Sequence, residues 1–341
     1  MAGQSDIDQY LLHEIDVGSF PGAVYAVGSS TGIQCENALG HAITVPLRLA
    51  TSLDTIYDCA SITKPLITAT LILQAVAEGW ISLDDEFEGH TYRRLLTHTS
   101  GLRDWLPLYA YPDPLAAIRE HGPEYEPGTR VVYSDLNFVL LYYAVTRIFS
   151  DYVLVARQRI ISALHLHDTF FRPPSSLKPR IAATEWGQRF EMGMVASRGI
   201  VFNGFRESLI WGETHDGNSH HLGGTAGNAG LFATARDVFR IAQAWLKREL
   251  LPPDLIAEAT KNYTAGLQEN RGLGWILSAK DHAATGMLSE RAFGHTGFTG
   301  TSVFIDPDAD RIMVLMTNRV HPCASPVAMQ KIRGEFHRLA L

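Results

Sequence analysis

The sequence predicts an α+β fold in which both ends of the chain build one antiparallel sheet and a mostly helical lobe is inserted between them. Three observations carry this expectation. Short apolar runs bounded by turn residues occur near the N-terminus, helical stretches broken by Pro and Gly fill the middle, and short apolar runs return before a closing helix. A chain of 341 residues buries roughly 75% of its unfolded surface and sits near the size at which one core divides into two lobes. The expected division is 1–58 plus 231–341 for the sheet lobe and 59–230 for the helical lobe.

Taken in order, residues 22–40 read as a β-hairpin: an apolar run at 23–27, the turn Gly28-Ser29-Ser30-Thr31-Gly32, and a second run at 33–39. The turn also matches G-x-S-x-G, the nucleophile elbow of α/β-hydrolases, but an elbow needs a helix directly after it. The short Asn-containing segment closed by Gly40 supplies none, so the hairpin reading is preferred. A helix is expected from about Ser61 to Gly79, apolar on most sides and therefore enclosed by protein. Pro65 is tolerated only in a first turn, which places the start near Ser61. Further helices are expected at 91–98, 136–149, 152–164, 235–248 and 327–339, with antiparallel strands at 273–277, 301–305 and 311–317.

Composition narrows the function classes. Hydrophobic residues make up 46% and charged residues 19%, which fits a packed globular chain and not a disordered one. The net charge of −7 argues against a nucleic-acid partner. The longest apolar stretch, 66–77, contains Thr68, Thr70 and Gln74 and falls short of the roughly 20 residues of a membrane helix, so no membrane partner is expected. Met1 to Asp8 shows no basic or apolar secretory region, which leaves a cytoplasmic location as the expectation. Cys35, Cys59 and Cys323 are odd in number and lack metal-like spacing, as reduced thiols would be.

Ser61-Ile62-Thr63-Lys64 sets a hydroxyl and an amine three residues apart, on one face of a helix turn. A serine attacks a carbonyl when a base lies beside it, and lysine serves if burial or nearby cations bring its pKa down from about 10.4 to near 7. Four residues alone are a weak signal, because Ser and Lys are common on solvated helix faces. Two more segments change the weight: Tyr133-Ser134-Asp135, and Gly294-His295-Thr296-Gly297 ahead of an apolar strand.

With these in order, the chain resembles the serine β-lactamase and penicillin-binding-protein-like family, class C β-lactamase-related hydrolases in particular, whose signatures are S-x-x-K, Y-x-N and K-T-G or H-T-G. Residues 95–102, 126–129 and 223–232 are similar as well, and the similarity runs from about Phe20 to Asn318. The resemblance implies a β-lactamase/transpeptidase-like fold, an antiparallel sheet flanked by helices, with the active site between the lobes. It implies that Ser61 is the nucleophile, that Lys64 and Tyr133 share proton transfer, and that the backbone N–H groups of Ser61 and Phe298 form the oxyanion hole. His295, Thr296 and Gly297 would line the site as an edge strand, with Asp135 on the substrate side. The implied function is a serine acyl hydrolase, esterase-like, working through a Ser61 acyl-enzyme on a small-molecule ester or amide. A β-lactamase or a D-amino-acid-specific peptidase is the alternative within the family, and a non-catalytic ligand or peptide sensor the alternative outside it. No cofactor is implied.

Two departures bear on substrate. Asp135 stands where the pattern has Asn; an ionised carboxylate near Lys64 favours the ammonium and makes Tyr133 the better base, unless Asp135 instead caps the following helix. His295 stands where many β-lactamases have Lys, exchanging a fixed charge for one that titrates near 6.5 and weakening affinity for a substrate carboxylate. No metal site is expected of the histidine clusters 165–168, 215–216 and 220–221, since zinc hydrolysis needs three converging ligands; the first reads as surface or loop packing, and the run 215–218 either lines the cleft mouth or forms an ordered polar loop. The Gly-rich run 223–230 lacks the Lys-Ser/Thr of a P-loop and is expected to let backbone approach closely beside the site.

Overall fold

A computed structural model describes residues 4–341. The hairpin of the N-terminal segment is there: β1 (Gly22–Ser29) turns back into β2 (Gly32–Ile43). Ser29 and Thr31 hydroxyls meet at 2.8 Å inside the turn, so the G-x-S-x-G serine is a turn residue. Five further strands complete one sheet: β3 (Leu49–Ala50), β4 (Ile276–Leu277), β5 (Phe293–Thr296), β6 (Ser302–Asp306) and β7 (Arg311–Thr317). Their spatial order is β3-β2-β1-β7-β6-β5-β4, and every pairing is antiparallel. The two chain ends join where Ala23 faces Thr317 and Gly28 faces Ile312.

Successive side chains of a strand point to opposite faces, and β1 is buried on both. Ala23, Tyr25 and Val27 pack with Ile7 and Leu11 of α1 (Gln4–Asp16) and with Phe336 of the C-terminal helix (Met329–Ala340). Val24 and Ala26 join the core formed with Val238 and Ile241 of the helix Ala235–Leu246 and with Leu66, Ile67 and Leu71. The helix α1 is an element that the sequence reading did not anticipate; its buried Ile7 and Leu11 lie four residues apart, one helical turn. Also unanticipated is a three-stranded sheet of Tyr57–Asp58, Leu231–Ala233 and Thr169–Phe171. It fixes the segment just before Ser61 to the segment after the Gly-rich run.

The serine helix starts as expected but is not a plain α-helix. Ala60–Ile62 is one 3-10 turn, Lys64–Ala69 is wound as π-helix, and α2 (Thr70–Ala77) continues to a stop at Gly79, whose φ is 72°. Pro65 falls in the first turn of the π segment, where its missing N–H costs little. Residues Ala60–Ala77 have the length and hydropathy of a membrane span, and 78% of that stretch is buried inside the protein. The third long helix of the core, α3 (Asp135–Phe149), follows directly on the Tyr133 loop.

Candidate active site

Ser61 follows Ala60, which holds a left-handed φ of 47°. A non-glycine residue there is strained, and such strain persists only where the surroundings fix it. Here the Asp58 carboxylate accepts the Ala60 N–H at 2.9 Å and, through its other oxygen, the His215 N–H at 2.7 Å. The result is a rigid corner that presents Ser61 at the mouth of the helix.

One turn on, Lys64 is fully buried. Its ammonium touches three acceptors: it donates to Ser61 Oγ at 2.9 Å and to the Asn228 carbonyl at 3.0 Å, and it pairs with Asp135 Oδ1 at 2.6 Å. An ammonium carries three N–H donors; two of them make hydrogen bonds here, and the third contact is the ion pair with Asp135. Burial by itself pulls the Lys64 pKa down, but the Asp135 carboxylate and the Tyr133 phenol outweigh it, and the net displacement is upward. Asp135 therefore turns toward Lys64. The helix cap position belongs to Ser134, and its hydroxyl donates instead to the Arg103 carbonyl at 2.6 Å.

Tyr133 is held by its neighbours in the loop. The Ser134 N–H donates to His98 Nδ1 at 3.1 Å, which leaves the hydrogen of that imidazole on Nε2. The His98 ring lies 4.7 Å from the Tyr133 ring, and the Arg271 guanidinium is 5.4 Å from the ring on the cleft side. Burial drives the His98 pKa well below its ordinary value, so it packs as a neutral ring. Tyr133 Oη is enclosed and, among the described residues, has no hydrogen-bond partner of good geometry. Burial raises its pKa; Lys64 and Ser61 work in the opposite direction, Asp135 reinforces the rise, and the net is upward. A phenol oxygen close to both Ser61 and Lys64 with its own bonding unsatisfied can take or return a proton there.

The third segment arrives on β5. Strand β4 pairs with only Phe293 and Gly294, so β5 is next to last in the sheet and its second half, His295 and Thr296, is the free edge. This refines the expected edge strand. The turn after it is bolted to the serine corner: Thr299 Oγ1 donates to the Asp58 carbonyl at 2.8 Å and Thr301 Oγ1 to the Cys59 carbonyl at 2.9 Å. A Cβ on Gly297 would strike Thr301 Oγ1 and come within 2.6 Å of the Cys59 carbonyl oxygen. Glycine is required for that approach, which sets the spacing between the Ser61 and Phe298 backbones. His295 is buried and donates from Nδ1 to the Thr296 carbonyl at 2.8 Å. Burial, with Arg271 and Lys64 adding to it, pushes its pKa well below the usual value. The titration near 6.5 expected from sequence is thus displaced downward, and position 295 carries no charge at neutral pH.

Ser61, Tyr133, His295 and Phe298 open on one cleft of about 1250 Å³, whose outer wall includes Phe190 and Arg319. Lys64 and Asp135 lie behind Ser61. Sequence reasoning missed His98, Asn228, Arg271 and the Thr299 and Thr301 bolts. The Gly-rich run does bring backbone close: a Cβ on Gly227 would hit the Phe138 carbonyl, and the next residue's carbonyl is the one Lys64 meets. Among the described residues no three His, Cys, Asp or Glu side chains converge on a point. His215 pairs with Glu185 at 3.1 Å and stacks on the Phe298 ring at 5.5 Å between centroids.

Comparison with known proteins extends the resemblance across the chain. An Escherichia coli (strain K12) protein named "Putative D-alanyl-D-alanine carboxypeptidase" is 28% identical over 95% of this chain and 83% of its own. Among solved structures, the octameric penicillin-binding protein homologue from Pyrococcus abyssi superposes with a TM-score of 0.73 at 19% identity, covering 96% of this chain and 76% of its own. EstCE1, a hydrolase with promiscuous acyltransferase activity, gives a TM-score of 0.72 at 18% identity and 97% coverage of both chains. These likenesses show the β-lactamase/transpeptidase-like fold. The family model described as Beta-lactamase matches residues 7–334, nearly the whole length, and the chain accordingly belongs to the beta-lactamase family of serine hydrolases.

Proposed function

We propose that the protein is a serine acyl hydrolase that cleaves a small ester or amide through an acyl-enzyme on Ser61. The observation that carries this reading is the convergence of Ser61 Oγ, the Lys64 ammonium at 2.9 Å and the enclosed, unsatisfied Tyr133 hydroxyl at one end of a single cleft. In this reading Ser61 Oγ attacks the substrate carbonyl carbon while its proton passes to the Tyr133 oxygen, which must be a phenolate to receive it. Lys64 stays an ammonium, held by Asp135, and stabilises that phenolate. The tetrahedral oxyanion takes hydrogen bonds from the Ser61 and Phe298 N–H groups, a contribution worth about 10²–10³ in rate per donor. Tyr133 then gives the proton to the leaving oxygen or nitrogen as the C–O or C–N bond breaks. Water then attacks the acyl carbon as it gives a proton to Tyr133, and when the bond from that carbon to Ser61 Oγ breaks, Tyr133 returns the proton to Oγ, releasing the acid and restoring Ser61 and the phenolate.

Acyl transfer from a small substrate agrees with the shared fold of EstCE1, a hydrolase with promiscuous acyltransferase activity, and a D-amino-acid carboxypeptidase with the name of the Escherichia coli relative. Both run through the same acyl-enzyme. Hydrolysis of p-nitrophenyl acetate and butyrate by the protein and by Ser61→Ala tests the shared step. Turnover that vanishes in the variant is the expected result. Turnover that survives in it overturns the assignment.

A further inference from the structure

The backbone N–H of Phe298 belongs to the peptide that follows Gly297, and a glycine leaves the orientation of that peptide free to vary widely. An oxyanion hole needs this N–H and that of Ser61 within about 3.1 Å of one oxygen. Arg333, on the C-terminal helix, holds one end of the peptide: its Nη2 donates to the Gly297 carbonyl at 3.1 Å. The N–H end has to stay open for the substrate. What remains to fix it is the Phe298 side chain, whose ring is enclosed by three groups from three separate segments. The Phe190 ring lies 4.6 Å from it and the Arg319 guanidinium 4.5 Å, and the His215 imidazole stacks on it at 5.5 Å with 26° between the planes.

Two of these three groups are held by one carboxylate. Glu185 is buried; its Oε2 accepts from His215 Nε2 at 3.1 Å and its Oε1 accepts the Phe190 N–H at 3.0 Å. A carboxylate only accepts, so the bond to His215 fixes both the tilt of the ring and the place of its proton, on Nε2. The main chain of His215 is fixed by Asp58, whose Oδ2 takes the His215 N–H at 2.7 Å. The other oxygen of Asp58 takes the N–H of Ala60, the residue before Ser61, at 2.9 Å. Asp58, Glu185 and His215 are all buried, and none of them lines the cleft. Placing two carboxylates and an imidazole behind the wall carries a desolvation cost that apolar side chains of similar size avoid. The proton transfers assigned to Ser61, Lys64 and Tyr133 do not use them.

We propose that His215, oriented by Glu185, is a positioning residue for the oxyanion hole. Its ring sets the angle at which the Phe298 N–H meets the substrate oxygen, and Asp58 ties that setting to the corner that presents the Ser61 N–H. The inference rests on the Ser61 acyl-enzyme reading and adds to it the residues that keep the two donors in register.

The test is the ratio of kcat/KM for p-nitrophenyl butyrate over its thiono analogue, in which sulfur replaces the carbonyl oxygen. Sulfur is larger and accepts hydrogen bonds weakly, so two well-aimed N–H donors favour the oxygen ester, and the preference shrinks when one of them is misaimed. The variants are His215→Leu, which fills the space without a planar ring or an N–H, and Glu185→Leu, which removes both acceptors at once. A ratio of about ten or more is expected in the parent. In each variant it should fall at least about fivefold, with kcat for the oxygen ester down about tenfold or more and KM less affected. Because both rates scale with the amount of folded protein, partial unfolding cancels in the ratio, and if Glu185→Leu yields no folded protein His215→Leu alone decides. A parent ratio near one, or a ratio unmoved in His215→Leu, overturns the positioning role. Both results are read on turnover that Ser61→Ala abolishes and so leave the acyl-enzyme reading standing; that reading fails instead if Ser61→Ala retains turnover.

Discussion

Substituting Asp135 by Asn isolates the departure that sets this site apart from the Y-x-N pattern. Asp135 Oδ1 stands 2.6 Å from Lys64 Nζ, a gross attraction of about 6 kcal/mol at an effective dielectric of about 20. The Asp135 side chain keeps 21% of its surface exposed, so solvent screening removes much of this. If only a quarter of it survives, about 1.5 kcal/mol, a tenfold effect remains. The sign is fixed by the surroundings: the carboxylate raises the pKa of Lys64 and of Tyr133, so losing its charge lowers both. Either group then loses its proton at lower pH, and the Ser61 proton has an acceptor sooner. The asparagine amide oxygen can still accept from Lys64, which preserves the geometry. The assay is kcat/KM for p-nitrophenyl butyrate from pH 5 to 10. The rising acidic limb is expected to move to lower pH in Asp135→Asn, with a rate on that limb about tenfold or more above the parent at equal pH. A limb that stays in place, or moves to higher pH, refutes the electrostatic role given to Asp135.

Other outcomes follow from the same geometry. Tyr133→Phe removes the unsatisfied hydroxyl with little change in packing, and kcat should fall about 10²–10⁴-fold while thermal unfolding stays close to the parent; a loss under tenfold excludes it as the proton carrier. Lys64→Met leaves Asp135 without its partner and should cost about 1.5 kcal/mol in urea unfolding at neutral pH, the screened value, and an unchanged midpoint would show that the pair adds nothing to stability. Gly297→Ala places a methyl group against Thr301 Oγ1 and the Cys59 carbonyl, forcing the Phe298 N–H away from the serine corner. It should cost about 10²–10³ in kcat with KM less affected, and wild-type kcat would contradict the close-approach argument. Burial keeps His295 neutral, so the ratio of rates for charged and neutral acyl groups should be flat between pH 6 and 8; a step centred near 6.5 would show that the imidazole titrates.

Much of the site could be read from the sequence because its three segments combine a fixed local spacing with chemistry that few folds need. Ser61 and Lys64 are one helix turn apart, and Pro65 locates the start of that turn. The sheet could be read because the hairpin and the runs around 301–317 are apolar, short and bounded by turn residues. The supporting residues could not be. His98 acts through a ring contact 4.7 Å from Tyr133, and Asn228 through a backbone carbonyl that any residue would supply. The helix α1 carries its message in two buried residues among charged ones, and the strand at 231–233 is too short to show a period. Whether Asp135 met Lys64 or capped a helix was a question of side-chain direction, which sequence spacing leaves open.

In the proposed reaction Ser61 Oγ is the atom that bonds to the substrate's acyl carbon. Mass spectrometry of the protein quenched in acid during turnover of p-nitrophenyl butyrate reads this directly. A butyryl adduct on the peptide containing residue 61, decaying as substrate is exhausted, is the expected result. An adduct on any other residue, or turnover in which no adduct forms even after a fluorophosphonate has been shown to label nothing at Ser61, contradicts it.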